Sequence, residues 1–174
     1  QRQRSIHVWR IFMDSSYNIV VRPLSAELFP KAAATEREAL GSEGWSQKAI
    51  ADTVSLNGTY LGVFFDGEYA GHAGMTKAAD EGYVTNIAVK PKFRRRGAAT
   101  ALIKALLGES ERSKLAFLSL EVRASNTAAV SLYKKCGFKK AGLRPKFYRD
   151  PCEDAVIMTY YFEREPNLYE NTRY

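Results

Sequence analysis

Apolar and polar positions change period several times along the chain, and each change marks an element. Tyr17–Arg22 (YNIVVR) carries a short β-branched run that reads as a strand. Helical spacing follows from Pro30, at a first helical position, to Leu40, with Gly41 as the stop. A second helix is predicted from Trp45 to Leu56, halted by Asn57-Gly58. Thr59–Phe65 (TYLGVFF) and Tyr69–Met75 flank Asp66-Gly67, a hairpin turn signal. Gly82–Val89 is another strand, and Gly97–Leu107 is helical, with Leu102/Leu106 and Ile103/Leu107 each one turn apart. Lys114–Arg123 is a strand, Asn126–Cys136 is a helix ended by Gly137, and Phe138–Phe162 holds two strand-like runs around Arg149-Asp150-Pro151. The succession predicts an α/β domain with a mixed sheet of about seven strands and about four helices, hairpins giving antiparallel pairs and helical crossovers parallel ones.

The chain has 174 residues, enough for about one domain, and shows no linker, repeat or second composition block. Residues 17–162 are expected to form that domain. Residues 1–16 read as a leader or tag outside the fold: the segment is basic, lacks an acid before Asp14, and its apolar part is broken by His7 and Arg10. Residues 163–174 read as a polar tail. A net charge of +7 favours an anionic partner without choosing among nucleic acid, a phosphorylated cofactor and an acidic protein. The 2 His and 2 Cys make neither a zinc ligand set nor a CxxC pair, and neither histidine lies in a nucleophile motif. No metal is expected, and so few thiols fit a reducing compartment. The apolar runs are too short to span a bilayer as a helix, which takes ~20 residues.

The segment from Asn86 to Thr100 (NIAVKPKFRRRGAAT) runs from a strand through a basic loop into a helix. The first turn of a helix has unbonded N–H groups and a partial positive charge. The small residues Gly97, Ala98 and Ala99 admit an oxyanion, and Arg94, Arg95 and Arg96 add charge, so the segment suits a phosphate or pyrophosphate. A solvated basic loop capped by an ordinary glycine accounts for the same residues. Neither a P-loop nor a GxGxxG fingerprint is present.

Arg94–Ala99 fits the [Gln/Arg]-x-x-Gly-x-[Gly/Ala] signature of the GCN5-related N-acetyltransferases (GNAT), and its flanks strengthen the fit. The NIAV strand precedes it, while Leu118–Asn126 (LSLEVRASN), Ala129–Phe138 (AVSLYKKCGF) and Glu153–Met158 follow. The chain most resembles the ribosomal-protein alanine members of that family, and next the archaeal and eukaryotic N-terminal acetyltransferase subunits. The likeness is strong over residues 83–159 and weaker over 17–82, where Gly44-Trp45-Ser46 looks like the family's second-helix start. It implies a GNAT fold whose sheet splays between strands four and five and whose ligand is acetyl-CoA. The pantetheine arm is then expected on backbone groups of Ile87, Ala88 and Val89. The pyrophosphate is expected on the N–H groups of Arg95, Arg96, Gly97, Ala98, Ala99 and Thr100 with Arg94 adjacent, and Asn126 is expected to contact coenzyme A. Ala99 stands at the last signature position, where its methyl leaves less room than glycine.

Acetyl transfer to an amine needs a base, because an α-amine with a pKa near ~7.7–8.0 is largely protonated at neutral pH. It also benefits from an acid that protonates the departing thiolate, a task within reach of a phenol. Alternation along Phe117–Arg123 places Ser119, Glu121 and Arg123 on one face and Leu118, Leu120 and Val122 on the other. Taken alone, Glu121 is a solvent-facing or Arg-paired strand residue; by the resemblance it is the catalytic base. Tyr133 shares a helical stripe with Ala129, Leu132 and Cys136, a pattern that usually means packing; by the resemblance it is the acid. Asn126 is also placed to cap its helix. An Ala88 or Val89 N–H is expected to hold the oxyanion, and Phe147-Tyr148 to line the acceptor groove or pack in the hairpin.

The leading expectation is therefore an enzyme that acetylates the N-terminal α-amine of a protein, with ribosomal proteins as the expected acceptors, in the cytoplasm. Lysine or small-amine acetylation is the alternative within this chemistry. A basic RNA- or ribosome-binding module is the alternative outside it, supported by Arg94–Arg96 and Lys134, Lys135, Lys139 and Lys140, though no RRM, KH or helix-turn-helix signature accompanies them.

Overall fold

The computed structural model describes residues 8–11 and 18–163. The strands are β1 (Trp9–Ile11), β2 (Ile19–Pro23), β3 (Thr59–Phe65), β4 (Glu68–Ala78), β5 (Glu81–Val89), β6 (Phe117–Arg123), β7 (Lys139–Arg149) and β8 (Cys152–Tyr161). The helices are α1 (Phe29–Leu40), α2 (Gln47–Ser55), α3 (Ala98–Arg112) and α4 (Thr127–Lys135). All strands join one sheet in the order β1-β2-β3-β4-β5-β6-β8-β7. β5·β6 is parallel and the other neighbours are antiparallel. The parallel pair is connected through α3, which carries the chain back across the sheet as a parallel crossover requires.

The seven expected strands are present, and β1 is an addition. Residues 9–11 fall in the segment expected to stand outside the fold, yet they pair with Val21, Val20 and Ile19 of β2. Trp9 packs against the core cluster beside α3, and the Arg112 guanidinium lies 4.8 Å over its ring. The expectation overlooked this because a three-residue strand has no readable period; the free edge of β2 and the apolar surface beneath Trp9 hold it. The expected strands four and five are β5 and β6. Tyr17 and, beyond Glu163, the tail lie outside the described residues.

Two-residue alternation in β3 builds both faces of the sheet. Leu61, Val63 and Phe65 enter the core under α3, which buries Leu102, Ile103 and Leu106, while Tyr60 and Phe64 join Phe29, Ala32 and Ile50 of α1 and α2 on the other face. Asp66 and Gly67 take φ of 47° and 87°, the left-handed pair that a two-residue hairpin needs. Ser46 and Asn126 cap α2 and α4, their side-chain oxygens accepting from the N–H groups of Ala49 and Ala129 at 3.1 Å. No helix among the described residues is long and apolar enough to cross a membrane.

Candidate active site

The site begins where strand pairing stops. β5 and β6 pair only at Glu81 with Phe117, Gly82 with Leu118 and Tyr83 with Ser119. Immediately beyond, the register against β4 slips: Met75 faces Val84, Gly74 faces Asn86, and Thr85 is left over as a bulge. A bulge bends its strand and increases its twist. Residues 84–89 thus part from β6, and a gap opens between the two strands.

The pleat decides which backbone groups face that gap. Lys90 N–H donates to Ala70 O on β4 at 2.9 Å. By the two-residue period, Ala88 also turns its N–H and C=O toward β4, and Ile87 and Val89 turn theirs toward the gap. This corrects the expectation that all three residues offer backbone groups there. Ala88 is committed to β4 and its side chain is buried, so of the two amides Val89 N–H is the one turned toward the gap.

At the end of β5 the basic bend is anchored by Phe93, which is buried with its ring 5.1 Å from that of Phe65. Arg94 folds back, its Nε donating to Val89 O at 3.1 Å. Arg95 and Gly97 then adopt left-handed backbone, φ 61° and 87°. The side chains of Arg94, Arg95 and Arg96 are exposed. Ala101 N–H is bonded to Gly97 O at 2.9 Å, which leaves the N–H groups of Ala98, Ala99 and Thr100 ahead of the helical ladder. Ala98 is buried, whereas Ala99 and Thr100 are half-buried at the mouth. The bend thus presents unbonded amides, a helix N-terminus and guanidinium groups together, the arrangement suited to a diphosphate. A separate cavity of about 350 Å³, lined by Phe65, Asp66, Glu68, Lys92, Phe93 and Arg96, borders the bend rather than the gap.

On β6, Glu121 is one-third exposed, and its Oε1 accepts from Arg144 Nη1 at 2.8 Å. The Arg-paired arrangement is therefore present. It orients the carboxylate from β7 without burying it. Two residues on, Arg123 donates to Glu43 Oε1 at 2.6 Å, Glu153 Oε2 at 3.2 Å, Pro151 O at 3.1 Å and Asp150 O at 2.9 Å. Its guanidinium also lies 4.2 Å over the Tyr148 ring. Arg123 thereby gathers the α1–α2 turn, the β7–β8 turn and Tyr148 at one end of β6. Tyr148 Oη donates to Glu121 O at 3.4 Å, a long contact.

Tyr133 projects from α4 against Phe138, with ring centroids 5.9 Å apart. Burial pushes its phenol up to about 12, and the nearby Tyr148 and Cys136 add to the rise. Burial likewise raises Tyr148, against the pull of Arg123. Tyr148 thus contacts the Glu121 backbone and adds to the rise of the Tyr133 phenol. Asn126 lies at the N-terminus of α4 and is occupied as its cap. Arg123, Arg144 and Glu43 were not expected as site residues. Arg123 shares a strand face with Glu121 and was legible to that extent; Arg144 and Glu43 reach the site only through tertiary packing.

Cys136 is half-buried and Cys152 exposed, both free. Among the described residues no group of His, Cys, Asp and Glu could hold a metal ion.

Residues 21–138 match the Acetyltransferase (GNAT) family. Over 116 residues, 66% of this chain and 78% of the relative, the sequence is 39% identical to the ribosomal protein bS18-alanine N-acetyltransferase of Escherichia coli K12. It is 32% identical over 124 residues to the N-alpha-acetyltransferase RimI of Mycobacterium tuberculosis, covering 68% of this chain and 77% of that one. The crystal structure of the Escherichia coli ribosomal-protein-S18-alanine N-acetyltransferase superposes with a TM-score of 0.79 at 34% identity, covering 87% of this chain and 99% of that chain. A splayed β5–β6 pair, a diphosphate-shaped bend and these matches converge: the chain belongs to the GNAT family and is an acetyl-CoA-dependent N-acetyltransferase.

Proposed function

We propose that the chain transfers the acetyl group of acetyl-CoA to the N-terminal α-amine of a ribosomal protein. The observation that carries the reading is the gap between β5 and β6, which pair only over Glu81–Tyr83, with the basic Arg94–Thr100 bend following β5. The relatives' named acceptor supports the choice of a ribosomal protein. Such an acceptor, together with two free cysteines, fits work in the cytoplasm.

In this reading the diphosphate lies on the N–H groups of residues 95–100, with Arg94, Arg95 and Arg96 balancing its charge. The pantetheine arm pairs with the backbone groups of Ile87 and Val89, which directs the thioester toward Glu121. Asn126 borders the coenzyme while capping α4. The acceptor amine gives a proton to the Glu121 carboxylate, directly or through water, using the oxygen that Arg144 does not hold. The freed nitrogen pair forms a C–N bond to the thioester carbonyl, and Val89 N–H receives the oxyanion. As the carbonyl re-forms and the C–S bond breaks, the Tyr133 hydroxyl protonates the leaving sulfur. The second proton shed by the nitrogen returns through water to the Tyr133 oxygen, leaving a neutral amide and the free thiol. The raised pKa of Tyr133 keeps its proton in place through the neutral range. Tyr148 and the α1–α2 turn line the acceptor side.

The test is incubation with acetyl-CoA and peptides that differ in their first residues, read by mass spectrometry. Acetyl groups on the α-amine, strongest for the N-terminus of a ribosomal protein, are expected. Acetyl groups confined to lysine side chains overturn the acceptor assignment.

A further inference from the structure

A polar cluster that takes no part in the proposed transfer is buried on the α1/α2 face. Glu36 and His72 are both 0% exposed. A carboxylate removed from water is costly unless it is fully partnered, and Glu36 is partnered from three elements. Its Oε1 accepts from Asn86 Nδ2 of β5 at 2.6 Å and contacts His72 Nε2 of β4 at 2.7 Å. Its Oε2 accepts from the Trp45 N–H in the α1–α2 turn at 3.1 Å. The contacts continue outward. Asn86 Oδ1 accepts from Tyr60 Oη at 2.6 Å and from Thr85 Oγ1 at 2.9 Å, and Tyr69 Oη meets His72 Nδ1 at 2.7 Å.

Two glycines make these approaches possible. A Cβ on Gly74 would lie 2.5 Å from the Tyr60 ring and 2.6 Å from Thr85 Oγ1, and a Cβ on Gly44 would lie 2.7 Å from the Glu36 carbonyl. The α1–α2 turn is therefore pressed on α1, and the Thr85–Asn86 bulge on Tyr60. Thr85 and Asn86 are the residues at which β5 leaves β6, and Ile87 and Val89, whose backbone groups face the gap, follow directly.

We propose that Glu36 is a positioning residue for acetyl transfer. One buried carboxylate sets both the bulge that aims the thioester strand and the turn on the acceptor side, so donor and acceptor edges of the gap share a common anchor. The inference rests on the acetyl-transfer reading above but makes a claim that reading does not contain. A glutamine at position 36 has the same shape but one accepting oxygen for donors that converge on two, so at least one contact is lost.

The experiment compares Glu36→Gln and Tyr60→Phe with the parent by hydrogen–deuterium exchange, acetyl-CoA titration calorimetry and steady-state kinetics. For Glu36→Gln, exchange is expected to rise in residues 44–46 and 84–89 together and to stay unchanged in α3. kcat is expected to fall about 10- to 100-fold, since small misplacements of reacting groups are costly, with acetyl-CoA affinity held within about threefold. Tyr60→Phe releases only the far side of Asn86 and should give a smaller loss of kcat that does not add to that of Glu36→Gln. If Glu36→Gln does not fold, Tyr60→Phe and Thr85→Val carry the test by the same readouts. Unchanged exchange at 84–89, or kcat within about twofold of the parent in the folded variants, overturns the proposal. A parent that acetylates no peptide defeats the acetyl-transfer reading instead, and the exchange comparison then decides the anchoring claim by itself.

Discussion

Glu121 shows how a carboxylate can be oriented without being buried. An ion pair as exposed as Glu121–Arg144 contributes only about 0–1 kcal/mol to stability, so its consequence is direction. Glu121→Gln is expected to lower kcat roughly 10²-fold while leaving acetyl-CoA affinity in place. The loss should be greatest at low pH, where an acceptor α-amine with a pKa of ~7.7–8.0 is mostly protonated and most dependent on a base. Rate profiles across pH with calorimetric titration check this, and full activity in the variant removes Glu121 as base. Tyr133→Phe should slow transfer about 10-fold or more. Burial holds the Tyr133 phenol up to about 12, so the proton it gives is present throughout the neutral and mildly alkaline range. The parent-to-variant rate ratio should therefore stay flat between pH 7 and 9; a ratio that collapses across that window assigns the proton to another group. Both residues were recognisable from their motif. Arg144 was not, because its contact with Glu121 exists only once β8 has paired with β6 on one side and β7 on the other.

At the scale of elements, the bend between β5 and α3 depends on backbone that only some residues tolerate. Gly97 sits at φ 87° as the residue before α3. Gly97→Ala introduces left-handed strain of roughly 1–2 kcal/mol, which should lower the unfolding temperature and weaken acetyl-CoA binding together; calorimetry of both is the check. Hairpin β3–β4 was legible because Asp66-Gly67 states its turn chemistry locally, and β3 begins and ends where the pattern placed it. The end of α3 was less so. The sequence suggested a stop near Leu107, whereas the helix continues to Arg112. Gly108 lies inside the helix, where a Cβ would meet Trp9 Nε1 at ordinary contact distance, 3.4 Å, so α3 runs through it beneath β1. The onset of β6 moved the other way, from Lys114 to Phe117, because Lys114 adopts left-handed backbone, φ 56°.

For the molecule as a whole, acetyl-CoA at about 100 times its Kd should add ~2.7 kcal/mol of stability. For a chain of this size that corresponds to a rise of roughly 5–10 °C in unfolding temperature, measurable by scanning fluorimetry. Absence of a shift at saturating ligand contradicts ligand binding to the folded state. Alkaline stability is fixed by buried phenols. Burial raises Tyr60, Tyr69 and Tyr133 above the ordinary tyrosine value of 10.0. The native state thus keeps protons that the unfolded chain releases. The resulting stabilisation is complete below pH 10 and is lost as pH climbs through the native values, beginning with Tyr133. Thermal unfolding followed from pH 8 to 12 should show this decline starting near pH 10, and Tyr133→Phe should lessen it.

The sequence by itself determined the α/β order of elements, the hairpin turn, the Asn126 cap and the place of the arginine-led bend. These rest on local chemistry: side-chain period, capping oxygens, glycine backbone and charge in one short segment. Only the tertiary structure decided that β1 joins the sheet, that Ile87 and Val89 rather than Ala88 face the gap, and that Arg144, Arg123 and Glu36 organise its walls. Those outcomes depend on strand register and on contacts between residues distant along the chain, and no local pattern encodes which edge a backbone amide turns toward or which buried carboxylate two elements will share.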